Sequence, residues 1–350
     1  MARTKQGHAF VWRGGVRING GPITCDAAGS LSDLVFLSHA QAVTSAQRRP
    51  RLGSAGRQEV LATEETLALL GRTGERLRRR VLPASFGRPF ALGELRVELL
   101  SSGHLPGSAS LLVEIEGRRV LYAGAVRHGE PGFGAIPVDV RDADAVCLDA
   151  TFGDPRFAFP TPAEARGALL DFVERAVAAG RPAVLLAAPF GGALDAADVL
   201  SRAGIALRGH RAMVAAATAF RGAGVTVPPI ARFDGKLGDR EALLWPPQAR
   251  RAPLLGVLGT PTFAFVSGFS LDPDEAARVG ADALIPLTNQ SGHADLLAYL
   301  ESTGASEVAL VGGFAEALAA ELRGQGKNAY ALGPPRQMEL LTAEPVRAIG

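Results

Sequence analysis

Through the first 150 positions, apolar residues come in short runs separated by turn residues, a strand-like texture with few helical stretches. Val16-Arg17-Ile18 and Ile23-Thr24-Cys25 flank Asn19-Gly20-Gly21-Pro22, which predicts a hairpin. Leu34 to Leu37 predicts a short buried strand. Thr63-Glu64-Glu65-Thr66 precedes Leu67-Ala68-Leu69-Leu70, the start of a capped helix. Leu95 to Leu100 alternates apolar and polar positions. Leu111 to Ile115 and Val120 to Tyr122 bracket Glu116-Gly117-Arg118-Arg119, a second hairpin signal, and Ala145 to Leu148 is a further strand leading into Asp149.

The pattern changes after a proline-punctuated connection from Pro155 to Pro162. Ala163 to Ala179 reads as a helix stopped by Gly180, Ala183 to Ala187 as a strand, and Ala193 to Ala203 as a helix closed by Gly204. Near the C-terminus, helices at Ala294–Ser302 and Ala315–Gly324 surround a strand at Glu307–Val311, and Asn328 to Leu332 forms a last strand. This is the rhythm of parallel strands with crossover helices. It predicts an α/β chain whose first domain is interrupted: residues 1–154, an inserted unit at 155–286, and a return segment at 287–350.

Composition narrows the class. Of 350 residues, 47% are apolar and 21% charged, a globular balance with ample interior. The two cysteines, Cys25 and Cys147, lie far apart and offer neither a disulfide framework nor a thiolate zinc cluster. Met1-Ala2-Arg3-Thr4-Lys5 leads into no apolar signal core, and no apolar run approaches a bilayer span, so a cytoplasmic protein without membrane partners is expected. The net charge of +2 favours no partner by itself. Arginines crowd two places: Arg72, Arg76, Arg78, Arg79 and Arg80, and Arg48, Arg49 and Arg51. Arg78, Arg79 and Arg80 are candidates for nucleic-acid phosphates, with a solvated helix face as the ordinary alternative.

Four stretches carry candidate chemistry: Phe36-Leu37-Ser38-His39-Ala40; Ser102-Gly103-His104-Leu105-Pro106-Gly107 with Tyr122-Ala123-Gly124-Ala125; Leu148-Asp149-Ala150-Thr151; and Ser291-Gly292-His293-Ala294-Asp295 with Val311-Gly312-Gly313. In this order and spacing they resemble the β-CASP branch of the metallo-β-lactamase superfamily, bacterial ligase-associated DNA exonucleases and mRNA 3′-end-processing-like factors in particular. The resemblance runs from about Gly15 to Leu332. It implies an αββα sandwich with an inserted α/β β-CASP cap over a two-zinc cleft. It also implies phosphodiester hydrolysis, in which a metal-held hydroxide attacks while the cations neutralise developing charge.

Most of the ligand pattern that the resemblance implies is absent. The opening His-x-His-x-Asp-His run falls on His39, Gln41, Val43 and Thr44, so only its first histidine survives. The Gly-His histidine is kept as His104. The bridging-aspartate position is Ala125, and the late His-Gly is Gly312-Gly313. A neutral amide such as Gln41 is a poor zinc ligand beside imidazole or carboxylate. Asp149 and His293 match accessory acid–base positions, and a phosphate-positioning Gly-Arg or Gly-Lys falls on Gly192-Ala193. Ordinary accounts stand beside each: buried, hydrogen-bonded His39 and His104, a turn-capping Asp149, and a helix-capping His293. His8, His128 and His210 lie outside the motifs and receive no role.

The expectation is therefore a catalytically inactive β-CASP nuclease homologue with no cofactor, or at most one weakly bound zinc, acting as a binding or scaffold subunit in nucleic-acid processing or DNA repair. Its expected partners are an active β-CASP nuclease, a helicase or a ligase, and DNA or RNA. The alternatives are a residual or repurposed hydrolase using one metal at His39 and His104, or a metal-free reaction using Asp149 and His293, and a nucleic-acid-binding protein that does not cut.

Overall fold

The computed structural model describes residues 7–27, 34–44 and 59–334. Arg48, Arg49 and Arg51 lie outside that range. Among the described residues, strands form three sheets. The first holds Phe10–Trp12, Val16–Ile18, Ile23–Cys25, Leu34–Phe36, Glu59–Ala62 and Val81–Pro83 side by side in chain order. The expected hairpin is present, Val16 lying opposite Cys25, and from Ile23 onward the pairing turns parallel. The second sheet runs in space as Asn328–Ala331, Glu307–Val311, Ala145–Asp149, Arg118–Gly124, Ala109–Ile115, Leu95–Ser101 and Phe90–Leu92. Its antiparallel half is the second expected hairpin, and its parallel half joins residues 145–149 to the late strands.

Alternation decides how these two sheets stack. Phe10, Ile18, Cys25, Phe36 and Leu61 from the first sheet meet Val97, Leu111, Tyr122 and Cys147 from the second in one core. Phe36 and Tyr122 pack edge to face with ring centroids 6.1 Å apart. The opposite face of the second sheet, with Leu121, Val146 and Leu148, is covered by Tyr299 from the helix His293–Thr303 and Leu318 and Leu322 from Ala315–Gly324. Val35, Leu37 and Val60, on the outer face of the first sheet, pack with Leu67 and Leu69 of the helix Glu64–Leu69. Thr63 caps that helix by accepting from the Thr66 N–H at 3.2 Å. The layering is helix, sheet, sheet, helix.

The third sheet is wholly parallel, in the order Ala231–Arg232, Ala206–Gly209, Glu241–Trp245, Ala183–Ala187, Thr262–Val266 and Ala283–Ile285. Ala183 to Ala187 is fully buried on both faces, which explains its unbroken apolar run. The helix Pro162–Ala178 leads in, started by a capping box between Thr161 and Glu164 with Pro162 in the first turn. Arg166 of that helix bonds Asp195 within the unit at 3.1 Å and pairs with Glu130 outside it, a charged tie to the rest of the chain.

Candidate functional site

The strand Leu34–Phe36 ends beside Leu61, and the chain leaves the sheet edge at Ser38-His39. Asp26, where the adjacent strand Ile23–Cys25 ends, receives the Ser38 N–H at 2.9 Å, the Ser38 hydroxyl at 2.5 Å and the Tyr122 hydroxyl at 2.8 Å. Because the Ser38 proton goes to Asp26, the His39 Nδ1–H donates to Ser38 Oγ at 2.7 Å. An Asp–Ser–His chain thus sets the imidazole plane. Burial, with Asp26 adding to it, pushes the Tyr122 phenol well up, so it stays a donor.

His104 arrives from the neighbouring sheet edge on the turn after Ser102. Gly103 there adopts φ +75°, a conformation that lets the turn form without strain. The two rings meet nearly perpendicular, with centroids 4.9 Å apart. His104 is completely buried, and two carbonyl oxygens bracket it: Asn289 O lies 2.9 Å from Nδ1 and Gln41 Oε1 3.0 Å from Nε2. Gln41 donates its own amide to Phe190 O at 2.8 Å. Burial first, then the neighbouring His39, pushes His104 down to about 3, partly offset by the Asn289 carbonyl. A neutral imidazole has one N–H, so it donates to only one of the two oxygens; with the Gln41 amide N–H committed to Phe190 O, the Nε2–H tautomer donates to Gln41 Oε1.

The remaining motif positions do not complete a metal shell. Ala125 is buried and carries no donor atom. Val43 and Thr44 belong to the short helix Gln41–Thr44, and their side chains lie outside the described part. Gly312 sits at φ +98°, where a Cβ would stand 2.6 Å from Asp149 Oδ1 and 3.0 Å from Thr151 N. Asp149 accepts from Thr151 N at 2.8 Å and Thr151 Oγ1 at 2.5 Å, the turn cap foreseen as its ordinary role.

His293 departs from the helix-capping account given for it. The helix His293–Thr303 has no side-chain cap, and His293 Nε2 pairs with Glu321 Oε2 at 2.7 Å on the adjacent helix. Among the described residues, no three His, Cys, Asp or Glu side chains converge as a metal site would require. Two imidazoles and an amide already held by protein partners do not fit the two-zinc centre of the resembled branch.

Around this centre the cleft wall is neutral. Gln41, Thr151, Phe190, Ser267, Asn289 and Gln290 border a cavity of about 160 Å³, and among the described residues the buried Asn289 Nδ2 finds no acceptor. Asp26, Phe190 and Asn289 escaped the sequence reading. Asp26 is a lone carboxylate after a strand, and the other two act through backbone oxygens, for which residue identity carries no signal. Gly192, beside this cavity, begins the helix Gly192–Arg202 without a basic neighbour. Among the candidate arginines, Arg78 pairs with exposed Glu64 at 2.6 Å, and Arg79 is exposed. No helix of the described residues is long and apolar enough to cross a membrane.

No family model matches the chain. Among curated proteins, it is similar to a protein named probable DNA ligase from Opitutus terrae, 28% identical over 308 residues, which is 87% of this chain and 29% of that protein. Protein artemis from Gallus gallus matches at 35% over 86 residues, 23% of this chain and 12% of artemis. Ribonuclease TTHA0252 from Thermus thermophilus matches at 35% over 72 residues, 21% of this chain and 17% of the ribonuclease. The match spans less than a third of each relative's length. These similarities fit the branch suspected from the four motifs: the chain is similar to proteins of the kind found in the β-CASP branch of the metallo-β-lactamase superfamily.

Proposed function

We propose that this chain is a β-CASP pseudoenzyme whose metal centre has been replaced by a neutral hydrogen-bonded plug, and that it works by binding within nucleic-acid processing or DNA repair. The observation that carries this reading is the chain from Asn289 O through His104 and Gln41 to Phe190 O, which occupies the ligand positions with protein contacts. Ala125 and Gly312 support it, since neither side chain can coordinate. On this reading residues 155–286 are the β-CASP cap, residues 1–154 and 287–350 form the metallo-β-lactamase-like part, and the protein is cytoplasmic. No cofactor is needed; His39 and His104 hold at most one weakly bound zinc. The probable DNA ligase aligns with 87% of this chain within a much longer protein, which supports a DNA ligase as the functional neighbour. DNA or RNA is the accompanying ligand, with Arg78, Arg79 and Arg80 as one place for phosphates.

Elemental analysis of protein purified without chelator, with a nuclease assay alongside, tests the proposal. Less than one zinc per chain and no cleavage is the expected result. Stoichiometric zinc together with a nuclease activity abolished by His104→Ala overturns it. Replacing Arg78, Arg79 and Arg80 by Ala should flatten the salt dependence of oligonucleotide binding; an unchanged slope removes those residues from the reading.

A further inference from the structure

The third sheet carries a second pocket, away from His104, whose position follows from its winding. From the strand Ala206–Gly209 the chain passes through the helix Arg211–Gly222 to the outer strand Ala231–Arg232. From the adjacent strand Glu241–Trp245 it leaves the other way, to Thr262–Val266 beyond Ala183–Ala187. Two neighbouring parallel strands whose exits diverge leave a crevice outside their carboxyl ends, where open α/β sheets bind ligands. Here the crevice is a cavity of about 220 Å³ bordered by His210, Arg211, Arg232, Phe233, Trp245 and Leu254.

Its chemistry is aromatic and cationic. The His210 ring meets Trp245 edge-on at 4.8 Å, and Trp245 meets Phe233 at 6.0 Å. His210 Nδ1 accepts from the Ala212 N–H at 3.2 Å, and the Trp245 indole N–H donates to Ala249 O at 2.8 Å, so both rings are fixed before any ligand arrives. Arg211 and Arg232 stand exposed at the rim and make no ion pair among the described residues. The nearby carboxylates Asp234 and Glu241 are both held by Arg208, at 3.2 and 2.8 Å. Among the described residues, no acidic side chain lines the cavity. Burial, followed by the charges of Arg211 and Arg232, lowers the His210 pKa.

We infer that this crevice binds one nucleotide, its base against the partly exposed His210 ring, which the buried Trp245 backs edge-on, and its phosphate between the Arg211 and Arg232 guanidiniums. Aromatic faces accept any base by stacking, and guanidiniums match phosphate oxygens in paired hydrogen bonds. The nucleotide is either free or one unit of a single strand; the choice of ligand class rests on the nucleic-acid reading above, while the pocket itself is separate from the His104 centre.

The chain has two tryptophans, Trp12 and Trp245, so Trp12→Phe leaves Trp245 as the sole indole reporter. In that background, AMP, adenosine, inorganic phosphate and a ten-nucleotide oligothymidylate are titrated against fluorescence, with the anisotropy of a labelled oligonucleotide followed in parallel. Saturable quenching by AMP identifies a free nucleotide, and quenching by the oligonucleotide alone identifies a strand unit; both support the pocket. Arg211→Gln with Arg232→Gln, at exposed positions where folding is not at stake, should weaken that binding at least tenfold. Quenching by neither ligand, adenosine binding as tightly as AMP, or a double variant that binds like the parent overturns the inference. Oligonucleotide binding by anisotropy without any Trp245 response keeps the nucleic-acid reading and removes this pocket. AMP quenching with no oligonucleotide binding does the reverse.

Discussion

On the proposed reading, replacing Gly312 tests whether this position can hold the side chain that the resemblance puts there. The position adopts φ +98°, and an added Cβ would stand 2.6 Å from Asp149 Oδ1, 3.0 Å from Thr151 N and 3.2 Å from Thr151 Oγ1. Holding an L residue in a left-handed conformation costs about 1–2 kcal/mol. Relieving the contact pulls Asp149 from its bonds with Thr151, and hydrogen bonds to a charged group are worth about 1.5–3 kcal/mol each. Gly312→Ala should therefore destabilise the protein by about 3–4 kcal/mol, the backbone term plus one weakened bond. Gly312→His should cost a similar amount, because the penalty arises at Cβ and the imidazole lies beyond it. The assay is urea unfolding of parent, alanine and histidine variants under one set of conditions. A Gly312→Ala protein within about 0.5 kcal/mol of the parent, the range of a neutral surface change, would refute the argument. Histidine could then be accommodated, and the site would be short of side chains only.

Restoring Gln41→His, Val43→Asp, Thr44→His, Ala125→Asp and Gly312→His together should yield fewer than two zinc ions per chain and little nuclease activity, since the supporting contacts now serve other ends; two tightly bound zincs with fast cleavage would show the decay to be shallow. Gln41→Ala leaves the His104 ring and the Phe190 carbonyl each short of a partner and should cost about 1–3 kcal/mol in urea unfolding, whereas a neutral result would mean water replaces the amide freely. His104 is held at about 3 in the folded protein, below its unfolded value near 6.5, so the unfolded chain takes up the extra proton and stability falls as pH drops from 6.5 toward 3. Between pH 7 and 5 the loss from this group should be about 2 kcal/mol, read as the difference in slope between parent and His104→Gln; equal slopes would count against a buried, neutral ring.

Local order was legible in the sequence because its causes lie within a few residues. Asn19-Gly20-Gly21-Pro22 closes a hairpin, Thr63 caps a helix, and the repeating period after Pro162 marks crossover helices, all from neighbouring side chains. That Ala125 and Gly312 lack donor atoms was equally legible, since this holds in any fold. The strand Glu241–Trp245 was not, because Glu-Ala-Leu-Leu-Trp suits a helix as well, and only pairing with Ala206–Gly209 and Ala183–Ala187 extends it. His210, given no role from its sequence context, caps the helix Arg211–Gly222 and walls the second pocket.

Tertiary structure alone decided what the surviving histidines do. His104 meets Asn289 across 185 residues, Gln41 meets Phe190 across 149, and His293 turns to Glu321. Residue identity sets which atoms can donate or accept. Which of them meet depends on sheet edges and loops brought together from distant parts of the chain, and a backbone carbonyl such as Asn289 O or Phe190 O is chemically the same at every residue.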